Sequence, residues 1–104
     1  MNRTNERHYE AELHRLKGLV ALQSPGAIQH AEAEGHFLKA IEIAQQQQAK
    51  SLELRAVMSL GRLWQQQGKV EAARKQLAAV YDWFTEGFDT KDLQDAKALL
   101  EELG

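Results

Sequence analysis

The stretch LGRLWQQQGKVEAARKQL, residues 60–77, distinguishes between two kinds of fold for this chain. It contains Gly61 and then the pair Gly68-Lys69, an arrangement that invites comparison with a phosphate-binding loop. Six residues separate the two glycines, whereas a P-loop has four, and Val70 stands where a P-loop has a hydroxyl residue for magnesium. A P-loop also follows a strand, but the residues before Gly68 have helical spacing. The stretch therefore predicts a helix, a turn at Gly68 and a second helix.

Apolar residues recur at steps of three and four on both sides of this stretch, which is the spacing of one helix face. Five such stripes run along the chain, at residues 9–20, 33–44, 54–64, 70–84 and 93–103. No segment alternates apolar and polar residues with a period of two, and the connections between stripes are short. We therefore expect an all-α fold of five helices, with neighbouring helices antiparallel and no sheet.

Residue types typical of helix ends stand between the stripes. Ser24 followed by Pro25 predicts a capped helix start, and Ser51 is a candidate cap for the third helix. Gly68 is expected to end the third helix in the left-handed conformation. The remaining expected ends are Gly87 for the fourth helix, Asp89 or Thr90 as the cap of the fifth, and Asp92 in its first turn.

The composition limits the classes of function. We treat residues 1–104 as one domain, because this length suits a single modest core. The formal net charge of -2 predicts no attraction to nucleic acid or anionic lipid, and no apolar run approaches the ~18 residues of a membrane span. The absence of cysteine excludes disulfides and cysteine zinc sites, and it suits a reducing compartment. We expect a cytoplasmic protein that binds neither nucleic acid nor membrane.

Small and large residues follow a definite order in the third and fourth helices. Gly61 is placed to let the facing helix approach closely, Trp64 to fill the space one turn on, and Ala73 to pack where only a small side chain fits. Gly18 and Ala33 repeat the order in the first helix pair, 40 to 43 positions earlier. This order resembles the tetratricopeptide repeat, which implies an α-α superhelix of about two repeats and a C-terminal capping helix. A plain antiparallel bundle is the alternative.

Residues 49–103 also resemble the C-terminal tail of large bacterial signalling proteins. In those proteins a class III adenylate or guanylate cyclase domain, or a transcriptional regulator, precedes a P-loop ATPase domain and a tetratricopeptide-like tail. The runs WFTEGFDTKDLQDAKALLEEL at residues 83–103 and EAELHRLKG at residues 10–18 carry this resemblance. A chain of 104 residues has no room for the upstream domains, so their catalytic residues have no counterparts here. The resemblance implies a regulatory, protein-binding role in signal transduction.

The sequence contains no pattern typical of catalysis or metal binding. His8 and His14 stand six residues apart, as do His30 and His36, which places the members of each pair on different helix faces. Zinc-binding helices instead space their histidines by four, as in HExxH. No pair of carboxylates is set apart for acid–base work. We expect no enzymatic activity, no cofactor and no metal.

A helical-repeat array exposes a concave face lined by the first helix of each pair. The family resemblance assigns to this face Glu12, Arg15, Leu19, Leu22, Arg55, Met58, Arg62, Gln65 and Gln66. Arg55 and Arg62 stand two turns apart on one face, so they could bind a carboxylate-bearing peptide through paired hydrogen bonds. A solvated face with stray salt bridges is the alternative. We expect a protein or a peptide as the partner.

Self-association is the alternative function. Roughly three stacked repeats are needed to bury both faces of each repeat, and this chain has about two. The last helix is expected to cap the C-terminal end, whereas nothing comparable covers the N-terminal side of the first helix. That helix would then pack on a second copy of the chain, as a homo-oligomer, or on further repeats upstream.

Overall fold

The computed structural model describes residues 3–23, 26–84 and 90–104, with the side chains from residue 10 onward except that of Ala27. These ranges form five helices and no strand: α1 (Arg3–Leu22), α2 (Ala27–Gln46), α3 (Lys50–Gln66), α4 (Val70–Tyr81) and α5 (Lys91–Leu103). The predicted all-α fold of packed helix pairs is confirmed. No helix of the described ranges has both the length and the apolar character that a membrane crossing requires.

The helices pack in chain order, each against the next. In addition, α1 contacts α3 and α3 contacts α5, so α3 touches the other four helices. This order is compatible with two helix pairs and a capping helix. The superhelical geometry of the tetratricopeptide repeat stays a prediction.

The core forms around α3, whose apolar side chains meet those of every other helix. The largest fully buried side chains of the core are Phe37, Leu54, Leu60, Leu63, Leu77, Leu99 and Val57. Each contributes about 1.5–3 kcal/mol through removal of its apolar surface from water. Ala33 of α2, Ala73 of α4 and Ala96 of α5 are completely buried among them.

Gly18 and Gly61 differ in the structure, although the repeat pattern equates them. A Cβ added at Gly18 would lie 2.5 Å from Cε1 of Phe37, so α1 and α2 require the glycine. A Cβ added at Gly61 would lie 3.6 Å from Leu99 and 3.9 Å from Ala73, which is ordinary van der Waals contact. The expected close approach at Gly61 is therefore corrected, because the neighbouring helices leave room there for a methyl group.

Trp64 packs half-buried against the core, and its indole Nε1 donates a hydrogen bond to Glu34 of α2 at 3.1 Å. Lys69 also approaches Glu34, with 3.9 Å between Nζ and Oε1. Trp64 thus links α3 to α2, and its expected role of filling space beside Gly61 stays a prediction.

The turn between α3 and α4 closes as predicted at Gly68, whose φ is 82°. Its N–H donates to the carbonyl of Gln65, and the N–H of Lys69 donates to that of Trp64. These two bonds form a Schellman motif, which satisfies the last carbonyls of the helix. The same motif at the end of α2 is harder to predict, because Gln48 takes the left-handed position there with a φ of 56°.

The predicted cap at Ser51 is wrong. The carbonyl of Ala49 already accepts the backbone N–H of Glu53, so α3 begins at Lys50 with Ala49 in the N-cap position. No side chain caps this helix. The reason is the turn after Gln48, which brings the chain into helical register one residue before the serine.

The predicted end of α4 at Gly87 is also wrong, because the helix ends at Tyr81. The N–H groups of Trp83 and Phe84 each donate a hydrogen bond to the carbonyl three residues earlier, which tightens the chain there. The two rings then stack edge to face with centroids 5.2 Å apart. Thr90 occupies the N-cap position of α5 without a side-chain bond, and Asp92 lies in the first turn as predicted. Ser24, Pro25 and Asp89 lie outside the described residues, so their expected capping roles stay predictions.

Candidate protein-binding site

A groove of about 410 Å³ lies between α1, α3 and α5. Its lining is Arg15 from α1, then Arg55, Met58, Ser59 and Arg62 from α3, and Lys91, Asp92 and Asp95 from α5. Met58 and Ser59 are buried, so they form the floor, and the charged side chains form the rim. The groove exists because helical periodicity brings residues 55, 58, 59 and 62 to one face of α3.

The structure brings most of the predicted binding residues to this groove. Arg15, Arg55, Met58 and Arg62 line it, and Glu12 joins its rim through ion pairs. Gln65 does not line the groove: its side-chain amide donates to Glu102 of α5 at 3.3 Å. Gln66 and Leu19 are exposed outside the groove, and Leu22 packs partly buried against the core.

Ion pairs join the three helices across the rim. Arg15 donates two hydrogen bonds to Glu12, at 2.8 and 3.0 Å. Arg55 donates from Nε to Asp92 at 2.9 Å and from Nη1 to Glu12 at 3.5 Å. Arg55 thus bridges α1 and α5 from its position on α3. Because these side chains are partly exposed, each pair contributes only about 0.2–1 kcal/mol to stability.

These pairs perturb the ionisation of their members. The hydrogen bond from Arg15, with the positive charges of Arg15 and Arg55, lowers the pKa of Glu12 against the opposing effect of burial. The hydrogen bond to Asp92 raises the pKa of Arg55, with the charges of Asp92 and Glu12 adding to it. Glu12 and Arg55 therefore stay charged through the neutral pH range.

Arg55 and Arg62 differ in their contacts within the chain, and their expected joint binding of a carboxylate-bearing peptide stays a prediction. Arg55 is already bonded to Asp92 and Glu12 of its own chain. Arg62 is exposed and forms no ion pair within the described ranges. Sequence reasoning missed the contribution of α5, because Asp92 is 37 residues from Arg55 and only the packing of α3 on α5 joins them.

A second cavity, of about 300 Å³, shares Arg55 and Asp92 with the groove. Leu54, Phe84 and Leu93 give it a more apolar lining than the groove has. The ion pair of Arg55 and Asp92 thus borders both the charged groove and a more apolar cavity.

The histidines form a contact that the sequence spacing does not predict. The rings of His14 on α1 and His36 on α2 stack with centroids 5.8 Å apart. Burial lowers the pKa of His14, and the positive charges of Lys17, His36 and Lys39 lower it further. No group of three or more histidine, cysteine or acidic residues able to hold a metal occurs in the part of the chain that the structure describes.

Comparisons with protein families, with curated proteins and with solved structures find no match for this chain. The resemblance to the tetratricopeptide repeat and to the tails of bacterial cyclases and regulators therefore stays a prediction from the residues that carry it. The function has to be inferred from the geometry and charge of the groove.

Proposed function

We propose that this chain is a non-catalytic protein-interaction module that binds an acidic segment of a partner protein in the groove between α1, α3 and α5. The observation that carries the proposal is Arg62, which lies in the groove without an ion-pair partner among the described residues. Four cationic side chains line the groove against the anions Asp92 and Asp95 and the rim residue Glu12, so one positive charge is in excess. A carboxylate is the ligand group that this balance favours.

The chemistry of arginine suits this ligand. A guanidinium presents its donors in a planar fork that matches the two oxygens of a carboxylate, and it remains charged at every physiological pH. Arg15 and Lys91 line the same groove, but Glu12 at 2.8 Å and Asp95 at 3.4 Å balance their charges, so Arg62 carries the unpaired positive charge that a carboxylate would meet. The buried Met58 beneath them offers apolar contact to the stem of the ligand side chain.

The network around Arg55 supports binding indirectly. Arg55 is held by Asp92 and Glu12 before any ligand arrives, so this part of the rim is ordered in advance. Ordering a flexible side chain on binding costs about 0.5–1.5 kcal/mol, and a preorganised rim avoids that cost. Arg62 is then the side chain that becomes ordered when the partner binds.

The wider setting of the proposal comes from the resemblance to signalling proteins. It implies that the module recognises a regulatory partner, in a bacterial cyclase- or ATPase-linked system. We place this interaction in the cytoplasm, in accord with a sequence that contains no cysteine.

A peptide array tests the proposal. Peptides rich in glutamate and leucine are compared with copies in which glutamine replaces every glutamate, and the best acidic binder is then titrated by fluorescence anisotropy. Arg62→Glu is expected to weaken that binder about tenfold or more, because it replaces a charge-assisted hydrogen bond with repulsion. Arg74→Glu is the matched control, since it makes the same charge change on α4, outside the groove.

Equal affinity of the Arg62→Glu and Arg74→Glu proteins would contradict the proposal. So would an array on which the glutamine peptides bind as well as the glutamate peptides, because the proposed recognition depends on the carboxylates.

A further inference from the structure

The side of α1 that faces away from α3 carries an apolar face that no described helix covers. Leu13, Leu16 and Val20 are 37%, 48% and 63% exposed, and their spacing places them on one stripe of the helix. They line a cavity of about 460 Å³ together with side chains of α2. Three large, exposed apolar side chains in one stripe differ from the scattered ones that are normal on a surface.

The outward side of α2 extends this face. Ile28 is 72% exposed, and Glu32 and Gly35 follow it at helical spacing on the same side of the helix. A Cβ added at Gly35 would meet no atom within 4 Å, so packing inside the chain does not require the glycine. Glycine weakens a helix interior relative to alanine, and its use lies in letting another backbone approach closely.

The charges at this cavity indicate what covers it. Its lining includes the cation Lys17 from α1 and the anion Glu32 from α2, and neither forms an ion pair within the described part of the chain. One charge of each sign makes the face electrostatically complementary to itself. A two-fold axis would bring Lys17 of one copy to Glu32 of the other, whereas a strongly acidic or basic partner would meet repulsion from one of them.

We propose that this outer face of α1 and α2 binds a second copy of the chain, as a two-fold-symmetric dimer. The stripe of Leu13, Leu16 and Val20 packs into the cavity of the other copy, Gly35 allows the helices to approach closely, and Lys17 pairs with Glu32 across the interface. The acidic-peptide groove lies on the side of α1 that contacts α3. The dimer therefore leaves the groove open, and the two surfaces can be tested separately.

Sedimentation velocity from about 1 μM to about 1 mM tests the dimer with the full chain. Wild type is expected to change from monomer to dimer across this range. Leu16→Asp is expected to raise the dimer dissociation constant about tenfold or more, because it buries a charge at the interface. Leu38→Asp is the matched control, because Leu38 is 44% exposed on α2 without lining the cavity. Circular dichroism checks that both variants remain helical.

An exchange of the two charges tests whether Lys17 of one copy pairs with Glu32 of the other. Lys17→Glu and Glu32→Lys are each expected to weaken the dimer, and the double variant is expected to recover most of the wild-type affinity. A protein that stays monomeric up to the highest concentration would overturn the proposal. Equal effects of Leu16→Asp and Leu38→Asp, or a double variant as weak as the single ones, would overturn it as well.

Discussion

Replacement of Gly18 by alanine tests the packing of α1 on α2. The added Cβ would lie 2.5, 2.8 and 3.0 Å from three atoms of the Phe37 ring. Phe37 is completely buried in the core, so any shift of its ring would disturb the side chains packed around it. Overpacking of this kind costs about 1–3 kcal/mol, and contacts this short place the cost in the upper part of that range.

Alanine also improves the helix, because glycine is about 1 kcal/mol less favourable in a helix interior. The balance for Gly18→Ala is a loss of about 1–2 kcal/mol in the free energy of unfolding. Gly61→Ala makes the same chemical change where 3.6 Å separates the new Cβ from Leu99. That variant is expected to gain about 0.5–1 kcal/mol from helix propensity alone. The two alanines therefore have effects of opposite sign.

Urea unfolding followed by circular dichroism, at one fixed protein concentration, measures both changes. In a thermal melt followed by the same signal, the melting temperature should fall by about 4–8 °C for each kcal/mol of unfolding free energy that Gly18→Ala loses. In a Phe37→Leu background the ring is gone, so the same alanine should cost much less, and the double-mutant cycle isolates the clash. A Gly18→Ala protein as stable as wild type would refute the packing described for α1 and α2.

Three other substitutions test the backbone and the ion pairs. Gln48→Gly should raise the free energy of unfolding by about 0.5–1 kcal/mol, because residue 48 has a positive φ; a urea titration that shows a loss would contradict this. Gly35→Ala should raise the stability of the monomer by about 1 kcal/mol, since no atom obstructs the new Cβ; thermal melts of dilute protein measure it. The pKa of Glu12 is lower in the folded chain than its ordinary value of about 4.3. Ionised Glu12 therefore stabilises the fold at pH values above about 4.3, and this stability is lost as the pH falls through the lower pKa of the folded chain. The difference in stability between wild type and Glu12→Gln should thus be largest above about pH 5, and a pH-independent difference would count against the ion pair with Arg15.

The helices follow from the sequence because their periodicity is local. The turn at Gly68 could be predicted for the same reason, since a left-handed position next to the end of an apolar stripe is typical of glycine. The end of α4 could not, because Phe84 continues the apolar stripe while the backbone has already left the helix at Tyr81. Apolar spacing reports which side chains face the core and does not report backbone hydrogen bonds.

The candidate site could be predicted in part. Helical spacing was enough to bring Arg55, Met58 and Arg62 to one face of α3. The ion-pair partner of Arg55 could not be predicted, because Asp92 comes from a helix whose packing depends on the whole core. The different space for a Cβ at Gly18 and at Gly61 could not be predicted for the same reason, since the nearest atoms at each glycine belong to side chains of another helix.

Contact between Arg62 and a carboxylate of the partner is the step on which the proposed function depends. Nuclear magnetic resonance of the ¹⁵N-labelled chain observes this contact, through the side-chain Nε–Hε signals of its arginines during titration with the best acidic peptide of the array. The signal of Arg62 is expected to shift most, with backbone shifts confined to the parts of α1, α3 and α5 that surround the groove. An unmoved Arg62 signal, or shifts centred on the outer face of α1 and α2, would contradict the proposed function.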